Sequence, residues 1–180
     1  NAGELGIVYS PDTPYEVLRT REMSVDDLRH ARLLSRLIDG FYNAGVWQRV
    51  TRRLILCDVG FLPAFLAWME ERELLEQPLS LEKRGLLLYE FCGERYPAFL
   101  DEISVAWVLA GIPLAKEPGG RVRPWKDALP ADAETLEGKC AEAMRLYHFA
   151  GSGADYWFGF DRAKSASRPL FAAWKRRMAE

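Results

Sequence analysis

The sequence predicts a mainly α protein, a bundle of about five to seven helices with a small β element at its C-terminus. Three observations carry this expectation. Apolar residues recur at three- and four-residue steps through most of the chain as far as Tyr147. Turn-formers at Gly45, Pro78 and Tyr96-Pro97 divide that pattern into helix-length pieces. Clear alternation with a period of two occurs in one place, Asp155 to Asp161, DYWFGFD. The expected organisation is a connector at 1–23, a helical domain at 24–150 and a small β or irregular appendage at 151–180.

Pro11, Asp12 and Pro14 punctuate the connector. Proline biases its predecessor away from helix, so this stretch reads as extended. Ser24 opens the first helix: its hydroxyl can accept from a free N–H of the first turn, and Asp26 and Asp27 suit the positive end of the dipole. Leu28, Ala31, Leu34, Leu37, Ile38 and Phe41 form the apolar stripe as far as about Asn43, and Gly45 is placed to end the helix in a left-handed conformation. A short helix follows over Trp47–Cys57, with Arg49, Arg52 and Arg53 outward. The next covers Phe61–Glu76, where Pro63 falls in a first turn that needs no donor from it. Ser80 caps a helix over Leu81–Glu94, and the run Leu86-Leu87-Leu88 marks the centre of the bundle. Pro97–Ala110 forms another, with Asp101 and Glu102 near its N-terminus. Gly111, Pro113, Pro118, Gly119, Gly120, Pro124 and Pro130 argue against any regular element at 111–131. Ala133, Leu136, Cys140, Met144 and Tyr147 predict a last helix over Asp132–Tyr147. The alternating strand at 155–161 then pairs with Arg168–Trp174.

A chain of 180 residues is long enough to bury a core without metal or disulfide help. The formal charge of −2 argues against a general nucleic-acid binder and against electrostatic attachment to an anionic membrane. No apolar run reaches the ~20 residues that span a bilayer. Three cysteines, Cys57, Cys92 and Cys140, make an odd number among apolar neighbours, which predicts reduced, core-packed thiols and a cytoplasmic setting. Lacking an initiator Met, the chain reads as a fragment of something longer.

Little in the residues carries chemistry. His30 and His148 are expected on separate helices with no neighbouring cysteine, so no metal-ligand set and no catalytic residue is expected. Asp26 and His30 are spaced for an exposed ion pair. Cys57-Asp58 reads as core packing and not as a nucleophile, because a reactive thiolate needs an electropositive setting and a base. Arg121, Arg123 and Lys126 surround Trp125 in the Pro- and Gly-rich loop. That arrangement is either a solvated loop with its indole on the bundle or an interface with another domain or ligand. Trp157 is out of phase with Tyr156, Phe158 and Phe160, which predicts an exposed apolar patch.

One stretch is more specific. Gly6, Tyr9, Pro14-Tyr15-Glu16-Val17-Leu18, Thr20 and Ser24-x-x-Asp27-Leu28, followed by Phe41-Tyr42-Asn43-x-Gly45, stand in the order of a recognisable junction. The stretch resembles the segment that follows the catalytic barrel in cobalamin-binding-type radical SAM proteins, the anaerobic cyclase-like Fe–S oxidoreductases, and that opens a helical C-terminal domain of unassigned function. The resemblance covers about Gly6 to Gly45. It implies a parent enzyme with a 4Fe–4S cluster and S-adenosylmethionine, and with cobalamin as a further candidate cofactor. No cofactor is implied in this chain, because the family's C-x-x-x-C-x-x-C loop is absent from it. The implied function is a non-catalytic accessory domain that packs on the upstream barrel of the same polypeptide and helps cover its substrate site. The strip Tyr15, Glu16, Val17 and Leu18 and the loop residues Arg121, Arg123, Trp125 and Lys126 are the expected interdomain contacts. The alternative is a free-standing helical interaction module with no enzymatic parent.

Overall fold

A computed structural model describes residues 4–13, 17–75, 78–141, 144–162 and 167–177. Strands β1 (Val8–Tyr9) and β2 (Val17–Arg19) form an antiparallel pair. Helices α1 (Val25–Leu37), α2 (Gly45–Cys57), α3 (Phe61–Glu70), α4 (Leu81–Arg95) and α5 (Leu100–Leu109) follow. Strands β3 (Val122–Trp125), β4 (Glu134–Gly138), β5 (Met144–Ala150), β6 (Ala154–Asp161) and β7 (Phe171–Arg176) complete the chain. These five strands make one antiparallel sheet in the order β3-β5-β6-β7-β4.

The mainly α expectation is therefore corrected. Among the described residues helix accounts for 45% and strand for 21%, and the architecture is a helical layer joined to a five-stranded sheet. The expected helix over Asp132–Tyr147 does not form: Glu134–Gly138 is β4, and Met144–Tyr147 opens β5. Gly138 explains part of this. It has a left-handed φ of +69°, and a Cβ there would collide with the Leu170 carbonyl, so a helix cannot run through it. Downstream, Arg145, Tyr147 and Phe149 alternate with Leu146 and His148 across β5, a period of two beneath the apparent helical spacing. The Pro- and Gly-rich segment also holds β3. Pro124 is tolerated because β3 is an edge strand, whose outer side needs no N–H donor.

The helical layer follows the sequence more closely. Ser24 caps α1 in a full capping box: its Oγ accepts from the Asp27 N–H at 3.1 Å, and Asp27 Oδ2 accepts from the Ser24 N–H at 2.9 Å. Beyond Leu37 the chain widens into a π-helical stretch, Ile38–Asn43. It turns at extended Ala44, so Gly45 begins α2 and does not close α1. Helix α3 stops at Glu70, short of the expected Glu76. The core of this layer centres on Phe41, Phe61, Phe65 and Phe91 with Trp47 and Trp107. Phe65 sits 5.0 Å from Phe41 and 4.8 Å from Phe91, centroid to centroid. Cys92 is buried here and its thiol is pushed up to about 12 by burial, whereas Cys57 and Cys140 are exposed, contrary to the expectation of three core thiols.

Helix α5 joins the two layers. Ile103 and Trp107 belong to the helical core, while Val105, Val108 and Leu109 pack on Phe149, Phe158, Phe160 and Ala172 of the sheet. A helix apolar on both sides is suited to that middle position. On the opposite face of the sheet Trp125, His148 and Trp157 pack together. Residues 126–133 cross from β3 at one edge to β4 at the other, fixed by Trp125 Nε1 donating to the Ala128 carbonyl at 3.3 Å and by a 2.8 Å ion pair between Asp132 and Lys175. Trp157 is on this face, as its phase requires, but it is 3% exposed and is no exposed patch.

Candidate functional site

The N-terminal hairpin is the first candidate surface. Val17 and Leu18 are half-buried and line a hollow of about 230 Å³ against α1, beside Val25 and Leu28. Tyr15 and Glu16, the other half of the expected contact strip, lie outside the described residues. Large apolar side chains concentrate here. Of nine exposed ones among the described residues, five are Leu5, Val8, Tyr9, Met23 and Val25, all on the hairpin or the start of α1. Two of the others, Leu56 and Val59, mark the α2–α3 turn and are 86% and 89% exposed.

Arg121, Arg123, Trp125 and Lys126 do not all share one surface. Arg121 turns inward: its Nη1 donates to Asp101 Oδ1 at 2.8 Å, and its guanidinium lies 4.6 Å over the Phe149 ring. It belongs to a polar network at the start of α5 centred on Glu117, which is 4% exposed. Glu117 accepts from Ser104 Oγ at 2.5 Å and from the backbone N–H groups of Gly119 and Arg121 at 3.0 Å each. Burial pushes the Asp101 carboxyl up, but Ser152 donating through both hydroxyl and N–H, together with Arg121, outweighs this and holds it below its ordinary value. The network ties the β3 approach and the β5–β6 turn to α5. Trp125 and Arg123 face the other side of the sheet. Trp125 packs on His148 at 4.9 Å and Trp157 at 6.0 Å, and Arg123 Nη1 donates to the Val122 carbonyl. Lys126 is exposed at the start of the crossing segment. His148 is held by Asp155 at 2.8 Å, and Asp155 is also gripped by Arg177 at 2.7 and 2.9 Å. His30 pairs with Glu70 at 3.8 Å, not with Asp26.

The second candidate is a cleft of about 820 Å³ between α2, α5 and the inner face of the sheet. It exists because α5 covers β5 and β6 but leaves the β7–β4 end of that face open. Val46, Val50, Val105 and Leu109 line the helical walls; Tyr156, Trp174 and Leu136 line the sheet wall. Helices α2 and α5 run antiparallel here, since Arg53 meets Glu102 near the start of α5 while Gly45 lies in the same cleft as Ala110 at its end. Glu102 is mostly buried, and burial raises its carboxyl pKa although Arg53 and Arg49 pull it down. Arg53 Nη1 meets Glu102 Oε2 at 2.5 Å, and Glu102 Oε1 is buried without a hydrogen-bond partner among the described residues. At the other end Arg168 Nε donates to the Ala110 carbonyl at 3.2 Å. Sequence reading missed this cleft and the Glu117 network. The Arg49/Arg53 spacing was visible as one helix face, but its partner Glu102 lies 49 residues from Arg53 and no local signal joins them.

A family model described as "Protein of unknown function (DUF4080)" matches residues 3–105. The chain belongs to this family. The match takes in the hairpin and ends inside α5, so the Arg49, Arg53 and Glu102 wall of the cleft falls within the DUF4080 segment and the sheet wall lies beyond it. No curated protein and no solved structure matches the chain.

The cysteines of this DUF4080 chain do not fit an iron–sulfur cluster. Cys57 and Cys140 lie on separate layers, and the buried Cys92 thiol resists the deprotonation that ligation needs. Among the described residues no group of three or more His, Cys, Asp or Glu side chains is placed to hold a metal ion, and no helix is long and apolar enough to cross a membrane.

Proposed function

We propose that this DUF4080 chain is the non-catalytic C-terminal accessory domain of a cytoplasmic radical SAM, cobalamin-type Fe–S oxidoreductase, packing on the upstream barrel and helping to cover its substrate site. One observation carries the docking part of this reading: five large apolar side chains crowd the surface of the hairpin and the start of α1, where the junction-like sequence runs. Burying each of them against a partner surface stabilises the contact by about 1.5–3 kcal/mol relative to leaving it in water. A two-stranded pair is marginal by itself, so it gains most from such a neighbour. The parent's cluster, S-adenosylmethionine and cobalamin would be held upstream, and this chain supplies no ligand to them.

The test is the polypeptide encoded upstream of Gly3 together with this chain. Reconstituted with iron and sulfide, the longer protein should gain a visible thiolate-to-iron absorption and cleave S-adenosylmethionine, while the isolated chain stays colourless. An upstream sequence without a C-x-x-x-C-x-x-C loop, or a longer protein that assembles no cluster, removes the radical SAM parent. The remaining reading is then a free-standing interaction module.

A further inference from the structure

We propose that the cleft between α2, α5 and the β7–β4 end of the sheet binds a small amphipathic organic anion, with its acidic head on Arg168 and its apolar body along the α5 wall. This does not depend on the radical SAM reading, since every group involved lies in this chain.

Size comes first. About 820 Å³ falls within the range of about 300–1,000 Å³ occupied by small-molecule sites. The cleft is elongated along α5. Eight residues separate Glu102 from Ala110, which at about 1.5 Å per residue gives about 12 Å between its two ends. A ring with a short acid chain, or a medium-chain fatty acid, fills that length.

Charge decides the class. Three guanidiniums, Arg49, Arg53 and Arg168, stand against two carboxylates, Glu102 and Glu137. The two ends are not equivalent. At the Glu102 end both guanidiniums already face a carboxylate, Arg53 in close contact and Arg49 at 3.9 Å, and share it between them. At the Ala110 end Arg168 spends only its Nε, on a backbone carbonyl, and among the described residues no carboxylate pairs with it. That bond aims a guanidinium whose two terminal nitrogens are left to form the bidentate contact that suits a carboxylate or phosphate. Between the ends Val46, Val105 and Leu109 face Trp174 across the cleft, an apolar lane that a highly polar anion would leave unfilled.

The experiment titrates the isotope-labelled chain with 4-phenylbutyrate and with decanoate, following the indole N–H signal of Trp174, the one tryptophan that lines the cleft. Its assignment comes from Trp174→Phe. A saturable shift is expected for at least one of the acids, with a Kd of about 1 mM or tighter. The uncharged 4-phenylbutyramide should bind about tenfold more weakly than its acid, and Arg168→Gln should abolish that difference by weakening the acid alone. Ala106→Leu, which narrows the same cleft without touching a charge, should weaken acid and amide alike. The remaining indole signals report whether each variant is folded. No saturable Trp174 shift with either acid, equal affinity for acid and amide, or undiminished acid binding in Arg168→Gln would each overturn the proposal.

Discussion

Gly85 and Gly93 lie on one helix, α4, and the same substitution should move stability in opposite directions at the two. Replacing glycine by alanine inside a helix favours folding by about 0.8–1.0 kcal/mol, because the unfolded chain loses freedom it would otherwise keep. At Gly93 a new Cβ meets nothing within 4 Å and the position is exposed, so this gain is realised almost in full. At Gly85 the Cβ would stand 2.6 Å from two ring carbons of Trp47 and 2.9 Å from Trp107. Ordinary carbon contacts need about 3.5–4.0 Å, so both indoles must retreat by roughly an ångström. Neither has room: both are fully buried, and the two ring systems already pack against each other at 6.4 Å. Overpacking a filled core costs about 1–3 kcal/mol, and two rigid rings place Gly85→Ala at the upper end. The net loss is about 2 kcal/mol, or about 4–8 °C in Tm for a domain of this size. Thermal unfolding of the two variants checks this. A Tm for Gly85→Ala at or above that of the parent would mean that α4 does not approach the Trp47–Trp107 pair as described.

Other outcomes follow from the same contacts. Ser24→Ala should cost about 1 kcal/mol in denaturant unfolding through loss of the capping box, and Leu88→Ala about 2–5 kcal/mol through a cavity in the core; equal, near-zero effects would contradict both placements. Asp101 titrates below its ordinary value of 3.8 in the folded state, so its stabilising contribution is complete above that pH and disappears as the pH falls through the lower folded value. Asp101→Asn should therefore flatten the acid limb of the stability profile below about pH 4, and an unchanged limb would show that the Arg121–Ser152 network does not hold the charge.

The parts of the fold that were legible are those whose signal is local. Ser24 with Asp27 three residues on announces its cap, Pro63 announces a first turn, and Tyr156, Phe158 and Phe160 announce one face of β6. Strands β4 and β5 were obscured because Leu136, Cys140, Met144 and Tyr147 happen to recur at helical steps. What forbids a helix there is the Gly138 approach to Leu170, a contact across the sheet that no window of neighbouring residues contains. Strand β3 was obscured by Pro124, which excludes a central strand but not an edge. Trp157 lies on the face opposite Phe158, as its phase requires, and its burial comes from Trp125 of β3 and His148 of β5, neighbours set by strand order and not by local pattern. The same limit applies to the candidate site. Arg53, Glu102, Trp174 and Arg168 converge from α2, α5, β7 and the approach to β7, so their meeting follows from the assembled topology alone.

Hydrogen exchange on the hairpin tests the docking reading most directly. Among the described residues no further strand joins the β1–β2 pair, so in the isolated chain the amides of Val8, Tyr9 and residues 17–19 should exchange within the fast range of a marginal hairpin. If a longer polypeptide carries the proposed upstream barrel, burial of Leu5, Val8 and Tyr9 against it should slow those amides by at least about tenfold, while amides in α4, already in the core, keep their rates. Equal exchange of the hairpin amides in the two proteins would contradict the account, leaving this chain a tethered, independent domain.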